Sequence, residues 1–504
     1  MSQSTNFLRA AVSGILLFST ACMVGPKYQR PSAPPAPDYK ELSPDFFKAM
    51  DGWKQAEPKD SQLKGKWWEV YGDPALNALE EQVSISNQNV LQAEAQFRAA
   101  RAAVRVARAA LFPTAGSSPT ITNSRTPAGG TAVAGSNNTI HSLFVLPAEV
   151  SWTADIWGSV RRNITANTAN AQASFADLEN ARLSFQAELA LDYFQLHGLD
   201  GGYLLLDATT KSYEKYLELT KNRYAGGIAS EGDVAQAETQ LATTRAQLID
   251  IGVQRAQFEH AIAILIGKAP SGFSIPVTAL KTPPPPVPVG LPSDLLERRP
   301  DIAAAERSVA AANEQIGIAM AAFYPNLTLS ATGGLESGSI TSWFTWPSRF
   351  WSLGPQLSET LFDAGKRRAT VLQLQASYDA TVAAYRQSVL TAFQQVEDNL
   401  AALHVLSNEA AAQDEAVKSA ERSLRITTDQ YKAGIASYLQ VITAQSTALA
   451  NERTAVDILT RRMSASVSLI QALGGGWDAS KIPTGQDLLS ATEKPKKPKQ
   501  QPTP

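Results

Sequence analysis

Two periodicities alternate along this chain. After Tyr224, apolar or small residues recur in steps of three and four, at Val234, Ala237, Leu241, Leu248, Ile251, Phe258, Ile262 and Leu265. The same spacing returns at Val441, Ala444, Ala448, Ala455, Ile458, Ala465, Leu469 and Ala472. Such steps put one apolar stripe on a helix and predict a helix from about Asp233 to Ile266 and a counterpart in the second series. Upstream, Gly158 to Tyr224 is rich in Ala, Leu, Glu and Gln and free of proline, so as one helix it would reach roughly 100 Å at ~1.5 Å per residue. Gly198, Gly201 and Gly202 fall inside it. Each costs about 1 kcal/mol relative to alanine, and a kink or short break is expected there. The earlier helix ending near Phe112 is expected to stack end to end with the return helix, so that two shorter rods flank a long one.

Between the helical stretches the period drops to two. In Leu143–Trp157 the apolar set is Phe144, Leu146, Ala148, Val150, Trp152, Ala154 and Ile156, against Glu149, Ser151, Thr153 and Asp155. Further on, Leu327, Leu329, Ala331 and Leu335 alternate with Thr328, Ser330 and Thr332, and Trp351, Leu353 and Leu357 with Ser352, Gln356, Ser358 and Thr360. Alternation of this kind predicts strands with one apolar and one polar face, over about 113–157 and 325–362. The strand after Pro113 has the faintest signal, because serine and threonine occupy both of its faces.

The two periodicities repeat because the chain repeats. YAGGIAS at Tyr224–Ser230 returns as YKAGIAS at Tyr431–Ser437, 207 positions later, and Arg255 and Arg462 interrupt the two apolar stripes in the same slot. Val90–Pro113 matches Ile302–Pro325, and Asp155–Arg162 matches Leu361–Arg368. A unit of roughly 200 residues is far longer than a solenoid or propeller repeat, which points to duplication of a whole architecture. The expected organisation is a first repeat over 67–280, a proline-rich connector over 281–292 and a second repeat over 293–476. A tail over 477–504 is expected to be disordered, on the charge and proline bias of its end.

Composition narrows the class. A net charge of −2 over 504 residues and a pI near 6.2 give no basic footprint for nucleic acid. The apolar run Ala10–Phe18 follows Arg9 and precedes the single cysteine, Cys22. This is the anatomy of a secretory signal over 1–21, too short to be a spanning helix. A lone cysteine after such a run resembles a bacterial lipobox and makes Cys22 the candidate lipidated N-terminus, although Ser19 stands where leucine is usual. An extended proline-rich leader follows over 22–66. The four histidines are scattered singly, and no metal-ligand spacing, phosphate loop or nucleophile elbow is present, so neither an enzyme nor a cofactor is expected.

In an exported chain, strands set between long rods and flanked by Trp152 and Trp157 at one end and Trp343, Trp346 and Trp351 at the other read as membrane strands with aromatic girdles. Four strands cannot close a barrel, and an open edge cannot face lipid, so the barrel is expected to assemble head to tail from several chains.

WWEVYGDPALNAL (Trp67–Leu79), LPSDLLERRPDIAAAE (Leu291–Glu306), SWTADIWGSVRR (Ser151–Arg162) and CMVGPKYQRP (Cys22–Pro31), with the two tyrosine motifs, resemble signatures of the TolC-like outer-membrane efflux proteins, in particular their lipoprotein branch. The resemblance runs from Cys22 to about Gly476. It implies a mainly α fold with a membrane β-barrel: a homotrimer whose protomers each give four strands to a twelve-stranded barrel in outer-membrane lipid, continued by a long helical barrel in the periplasm. It also implies a periplasmic adaptor and an inner-membrane pump of the resistance-nodulation-division type as partners, and a passive exit duct for small molecules. In the family the tyrosine motifs form the periplasmic tip. Gly227, Ile228, Ala229, Ser230, Gly434, Ile435, Ala436 and Ser437 are then the adaptor-docking turns, and Tyr224, Asp233, Tyr431 and Thr443 the gate, Thr443 standing where relatives often carry an aspartate. Locally, the glycines suit left-handed helix ends and the serines suit N-caps. Asp233 equally suits a cap. RRPD reads as a helix start, GSVRR as a strand-to-helix turn with basic residues at the membrane edge, and the tryptophan pair as packing for the N-terminal segment. Two rivals remain open at this stage: a type I secretion outlet of the same fold, and a lipid-anchored trimeric coiled-coil scaffold or adhesin.

Overall fold

The computed structural model describes residues 23–34, 39–42, 65–125, 140–287 and 298–490. Cys22 and the signal segment, most of the leader, connector residues 288–292 and the chain beyond 490 lie outside the described residues. The protein is mainly helical. In chain order the longer elements are α1 (Pro74–Ser86), α2 (Gln88–Ala109), β1 (Thr114–Gly116), β2 (Thr120–Arg125), β3 (Ile140–Ala154), α3 (Ser159–Ala225) and α4 (Glu231–Leu265). Then come α5 (Pro300–Ala321), β4 (Asn326–Ser337), β5 (Arg349–Ser358), α6 (Lys366–Lys432), α7 (Tyr438–Ala472) and α8 (Gly485–Ser490).

Helix lengths recur between the halves: 22 residues in α2 and α5, 67 in α3 and α6, and 35 in α4 and α7. Each long helix begins at a left-handed glycine, Gly158 or Gly365, directly after the sheet. α2 and α4 are stacked end to end as expected. Asn87 caps α2 by accepting from the Asn89 and Val90 N–H groups, and its Nδ2 donates to Leu265 O at the end of α4. Two helical layers result, α2–α3–α5–α6 beside the sheet and α4–α3–α7–α6 beyond it. The main core lies where they join, with Trp67 and Trp68 packed in it beside Tyr193, Phe194, Tyr385 and Ile302.

The expected break near Gly198 is absent, and α3 runs unbroken through all three glycines. They serve close approach instead: a Cβ on Gly198 would lie 2.3 Å from Thr460 Oγ1, and one on Gly201 3.2 Å from Val456 Cγ1, both on α7. The expectation of a disordered tail from 477 also fails for its first part. Trp477 is buried against Ala176, Ala303 and Ala304, and Leu488 of α8 packs on Val104 and Ala171.

The strands form one antiparallel sheet in the order β1–β3–β4–β5, with β2 also paired to β3. The first strand is in two pieces, separated at Ser117–Pro119, where proline cannot donate to a ladder. β1 with β2 forms one edge and β5 the other. No described helix is long and apolar enough to cross a membrane.

Candidate functional site

The sheet separates two chemistries. Register aligns Val150, Ala331 and Leu353 in one row, Trp152, Leu329 and Pro355 in the next, and Ala154, Leu327 and Leu357 in a third. Between them run Glu149–Thr332–Ser352, Ser151–Ser330–Gly354 and Thr153–Thr328–Gln356. Side chains alternate across a sheet, so the first set forms an apolar face and the second a hydroxyl- and carboxylate-bearing one. Among the described residues nothing covers the β5 end of the apolar rows: Leu353 and Leu357 are 74% and 69% exposed. In a soluble sandwich that face would be the core. Trp152 and Trp157 donate to Leu111 O and Pro325 O where the sheet meets the helices, while Trp343 packs on Phe144 at the far turn.

Two buried arginines, Arg162 and Arg299, and the partly buried Arg255 hold the helices beside and below the sheet. Arg161 pairs with Asp155 in the strand-to-helix turn, as Arg367 pairs with Asp363 in the second half. Arg162 corrects the reading of GSVRR as membrane-edge charge. It is fully buried, donating to Glu314 (2.7 Å) and to Val24 O and Pro26 O of the leader. Arg299 of RRPD forks onto Asp301 and also donates to Gln395 and Ala472 O, tying the start of α5 to α6 and α7. Arg255 donates to the fully buried Asp200, which also accepts from the Thr278 N–H. The His197 ring shares its Nδ1 proton between Thr278 O (2.6 Å) and Asp200. Burial would raise the Asp200 pKa, but these bonds from His197, Thr278 and Arg255 outweigh it and hold the carboxyl below its usual range.

At the opposite end of the rods, both turns close alike. The Ile228 N–H donates to Arg223 O and the Ile435 N–H to Gln430 O, with Gly227 and Gly434 at positive φ. This is the six-to-one bond that ends a helix at a left-handed residue. Ser230 and Asp233 cap α4 reciprocally, the Asp233 N–H donating to Ser230 Oγ and the Ser230 N–H to Asp233 Oδ2. In the second turn the Ser437 N–H donates to Gln440 Oε1. Ile228 and Ile435 are 70% and 78% exposed.

A matching family model and similar proteins accord with these features. The model for "Outer membrane efflux protein" matches residues 79–268 and again 291–475. The chain belongs to the outer membrane efflux protein family. It is 31% identical to the probable efflux pump outer membrane protein SepC of Pseudomonas putida over 94% of this chain and 97% of that one. To outer membrane protein OprJ of Pseudomonas aeruginosa it is 31% identical, over 93% and 96%. The structure of the outer-membrane channel OprN superimposes with a TM-score of 0.82 at 27% identity, covering 90% of this chain and 100% of that one. This efflux protein is accordingly an outer-membrane protein that extends into the periplasm.

Within it, the tyrosines of the two turns are not equivalent. Tyr431 is buried against Tyr438 and Val441, with the Arg223 guanidinium 4.6 Å from its ring centre and donating to its carbonyl oxygen. Burial pushes the Tyr438 hydroxyl up to about 12. Tyr224 is 48% exposed. Thr443 lies elsewhere, in a groove between α6 and α7 with Ser423, Thr427, Gln440 and Thr447. Arg223 escaped the sequence reading, since Gln430 occupies the corresponding place before Tyr431 and the repeat gave it no second copy.

Proposed function

We propose that three copies of this chain close head to tail into one duct, a twelve-stranded barrel in the outer membrane continued by a helical barrel in the periplasm. Matched open edges carry the reading. β1 with β2 and β5 end the sheet, and α2 stacked on α4 and α6 end the helical layers on the same two sides. One protomer's β5 and α6 then meet the next protomer's β1, β2, α2 and α4, and each chain contributes two copies of a duplicated unit. An unpaired strand edge in lipid leaves polar groups that cost several kcal/mol each, which disfavours a membrane-inserted monomer. The polar rows would line the lumen and the apolar rows face lipid. Lipid on Cys22 would add an anchor.

The exposed Ile228 and Ile435, at the ends of two like-built turns, support these turns as the docking site of a periplasmic adaptor, through which an inner-membrane pump of the resistance-nodulation-division type delivers small molecules. Relatives named as efflux pump outer membrane proteins support this assignment over protein secretion. Transport through such a duct is passive, and the chain performs no reaction.

The candidate gate is not one cluster: Tyr224 and Asp233 stand at the first turn, Tyr431 is buried and braces the second, and Thr443 lies in the α6–α7 groove. Three copies of Asp233 would give an acidic ring that favours cations. Asp233 is the third residue of α4 and its carboxylate accepts from the Ser230 N–H; an asparagine Oδ1 can accept the same bond, so Asp233→Asn removes the charge and keeps that hydrogen bond. Planar-bilayer recordings should show trimer-sized conductance with moderate cation selectivity that falls in Asp233→Asn and rises in Thr443→Asp. Cross-linking in detergent should stop at three chains. A predominant dimer, or selectivity unmoved by both substitutions, overturns the arrangement.

A further inference from the structure

Arg255 and Arg462 hold the same slot of the duplicated unit, but only the first is satisfied. Arg255 donates to Asp200 and to Ile275 O and has Glu259 at 3.5 Å. For Arg462, 207 positions later, those three places are taken by Ser407, Ser466 and Ile482. The segment after α4 turns back over its own helix and brings Ile275 O to Arg255. The segment after α7 leaves instead, packing Trp477 with Ala176, Ala303 and Ala304 and giving Pro483 O to Gln172. Among the described residues Arg462 forms no ion pair or hydrogen bond, and its Nε is buried without a partner. Buried donors in native folds are nearly always paired, and charged ones are the costliest to strand. Burial pulls the Arg462 pKa below its usual range, and Asp414 opposes that only in part.

The place left open is a pocket of about 410 Å³. Its walls include Lys281 and Pro283 at the start of the connector, Gln413 and Asp414 of α6, and Leu459 and Arg462 of α7. Gln413 is already committed, donating to Asn451 O and Oδ1. Asp414 is exposed and forms no ion pair among the described residues. Two cations thus share the pocket with one solvated carboxylate, and positive charge is in excess.

We propose that this pocket binds a small oxyanion, a phosphate or a carboxylate, on the Arg462 guanidinium, with Lys281 as its second cation. Either group presents paired oxygens to the guanidinium fork and stands at Arg462 as Asp200 stands at Arg255. The apolar walls at Pro283 and Leu459 leave room for a short carbon chain beside the charged group. An occupied pocket ties the connector between the two repeats, through Lys281, to α6 and α7.

The test uses the full-length oligomer in detergent, dialysed free of phosphate and organic acids. It is titrated at constant ionic strength with radiolabelled inorganic phosphate and, separately, with radiolabelled succinate. The expected result is saturable binding of at least one of them at one anion per chain, the tighter of the two naming the group. Arg462→Met should abolish it. Lys281→Met, at an exposed position, should weaken it about tenfold, as loss of one charged contact does. Arg461→Gln removes the neighbouring exposed arginine, which pairs with Glu409 and Asp457, and should leave binding unchanged. Binding that survives Arg462→Met places the anion elsewhere and overturns the proposal. Where Arg462→Met does not assemble, Lys281→Met decides alone, and unchanged affinity there overturns it equally. So does a wild-type oligomer that takes up neither anion, since the guanidinium is then met by water or by a neighbouring chain.

Discussion

Asp200 is the buried carboxylate on which Arg255 depends. Removing it leaves the Arg255 guanidinium with only Glu259 at 3.5 Å and the Ile275 carbonyl, so the loss falls below the roughly 3–5 kcal/mol of a buried charge left wholly unpaired. Asp200→Ala should therefore lower the thermal midpoint of the detergent-solubilised protein, and Arg255→Met with Asp200→Leu should recover part of the loss. Midpoints equal to wild type in the single variant would show that the cluster contributes nothing. The Asp200 pKa is held down in the fold, so its contribution is present above the unfolded value of about 3.9 and is lost as pH falls through the lower folded value. Glu80 behaves in the opposite sense. It is fully buried, neither carboxylate oxygen has a hydrogen-bond partner, and burial pushes its pKa well up. Folding keeps Glu80 protonated while the unfolded chain ionises near 4.5, so its stability cost grows as pH rises above that value, by up to about 1.4 kcal/mol per unit. Glu80→Gln cannot ionise. Its midpoint relative to wild type should climb between pH 5 and pH 7, and a difference flat in pH would mean that Glu80 finds a partner. Sequence pattern singled out Arg255 as an interruption in an apolar stripe but could not supply its partner. Asp200 lies on another helix, 55 residues away. The repeat offered no guide either, since the position 207 residues on is Ser407.

Helix α3 shows how an element can be legible in extent and illegible in detail. Its length followed from composition and the absence of proline, but its glycines were read as weakness when they are points of contact. Alanine at 198 would gain about 1 kcal/mol of helix propensity, yet its methyl would meet Oγ1, Cγ2 and Cβ of Thr460 at 2.3, 2.8 and 3.1 Å. Rotating Thr460 moves one branch away and brings another in, so contact is relieved only by separating α3 from α7. Gly198→Ala should destabilise despite the propensity gain, overpacking costing typically 1–3 kcal/mol, and Thr460→Ala should rescue it. If Gly198→Ala alone stabilises, the two helices are free to move apart. The strands were legible for a different reason. A period of two assigns faces without knowledge of any partner, and the register joins apolar to apolar rows across β3, β4 and β5. Only β1 and β2, with small polar residues on both faces, lacked that signal, and there the ladder is interrupted.

For the whole molecule, the two faces of the sheet make opposite demands on the same substitution. Leu353 and Ser352 are adjacent on β5, so they lie at nearly the same depth and differ only in the side of the sheet they face. If the apolar rows meet lipid, arginine at 353 costs up to about 2–4 kcal/mol near the bilayer midplane, while arginine at 352 enters a water-filled lumen. In the proposed closed barrel the cost would recur in every protomer, because closure would repeat each strand around the axis. Leu353→Arg should then deplete outer-membrane oligomers on heat-modified gels and leave protein in the periplasm or inclusion bodies. Ser352→Arg should assemble normally but place three cations around the lumen, lowering cation conductance in planar bilayers without changing oligomer size. A soluble sandwich makes the opposite forecast for at least one of them. There, residue 353 would sit in a protein core and 352 in solvent, so Ser352→Arg would change no conductance. If both variants assemble equally and conduct alike, neither face of the sheet meets lipid or lumen in the way proposed, and the membrane reading of the strands fails with it.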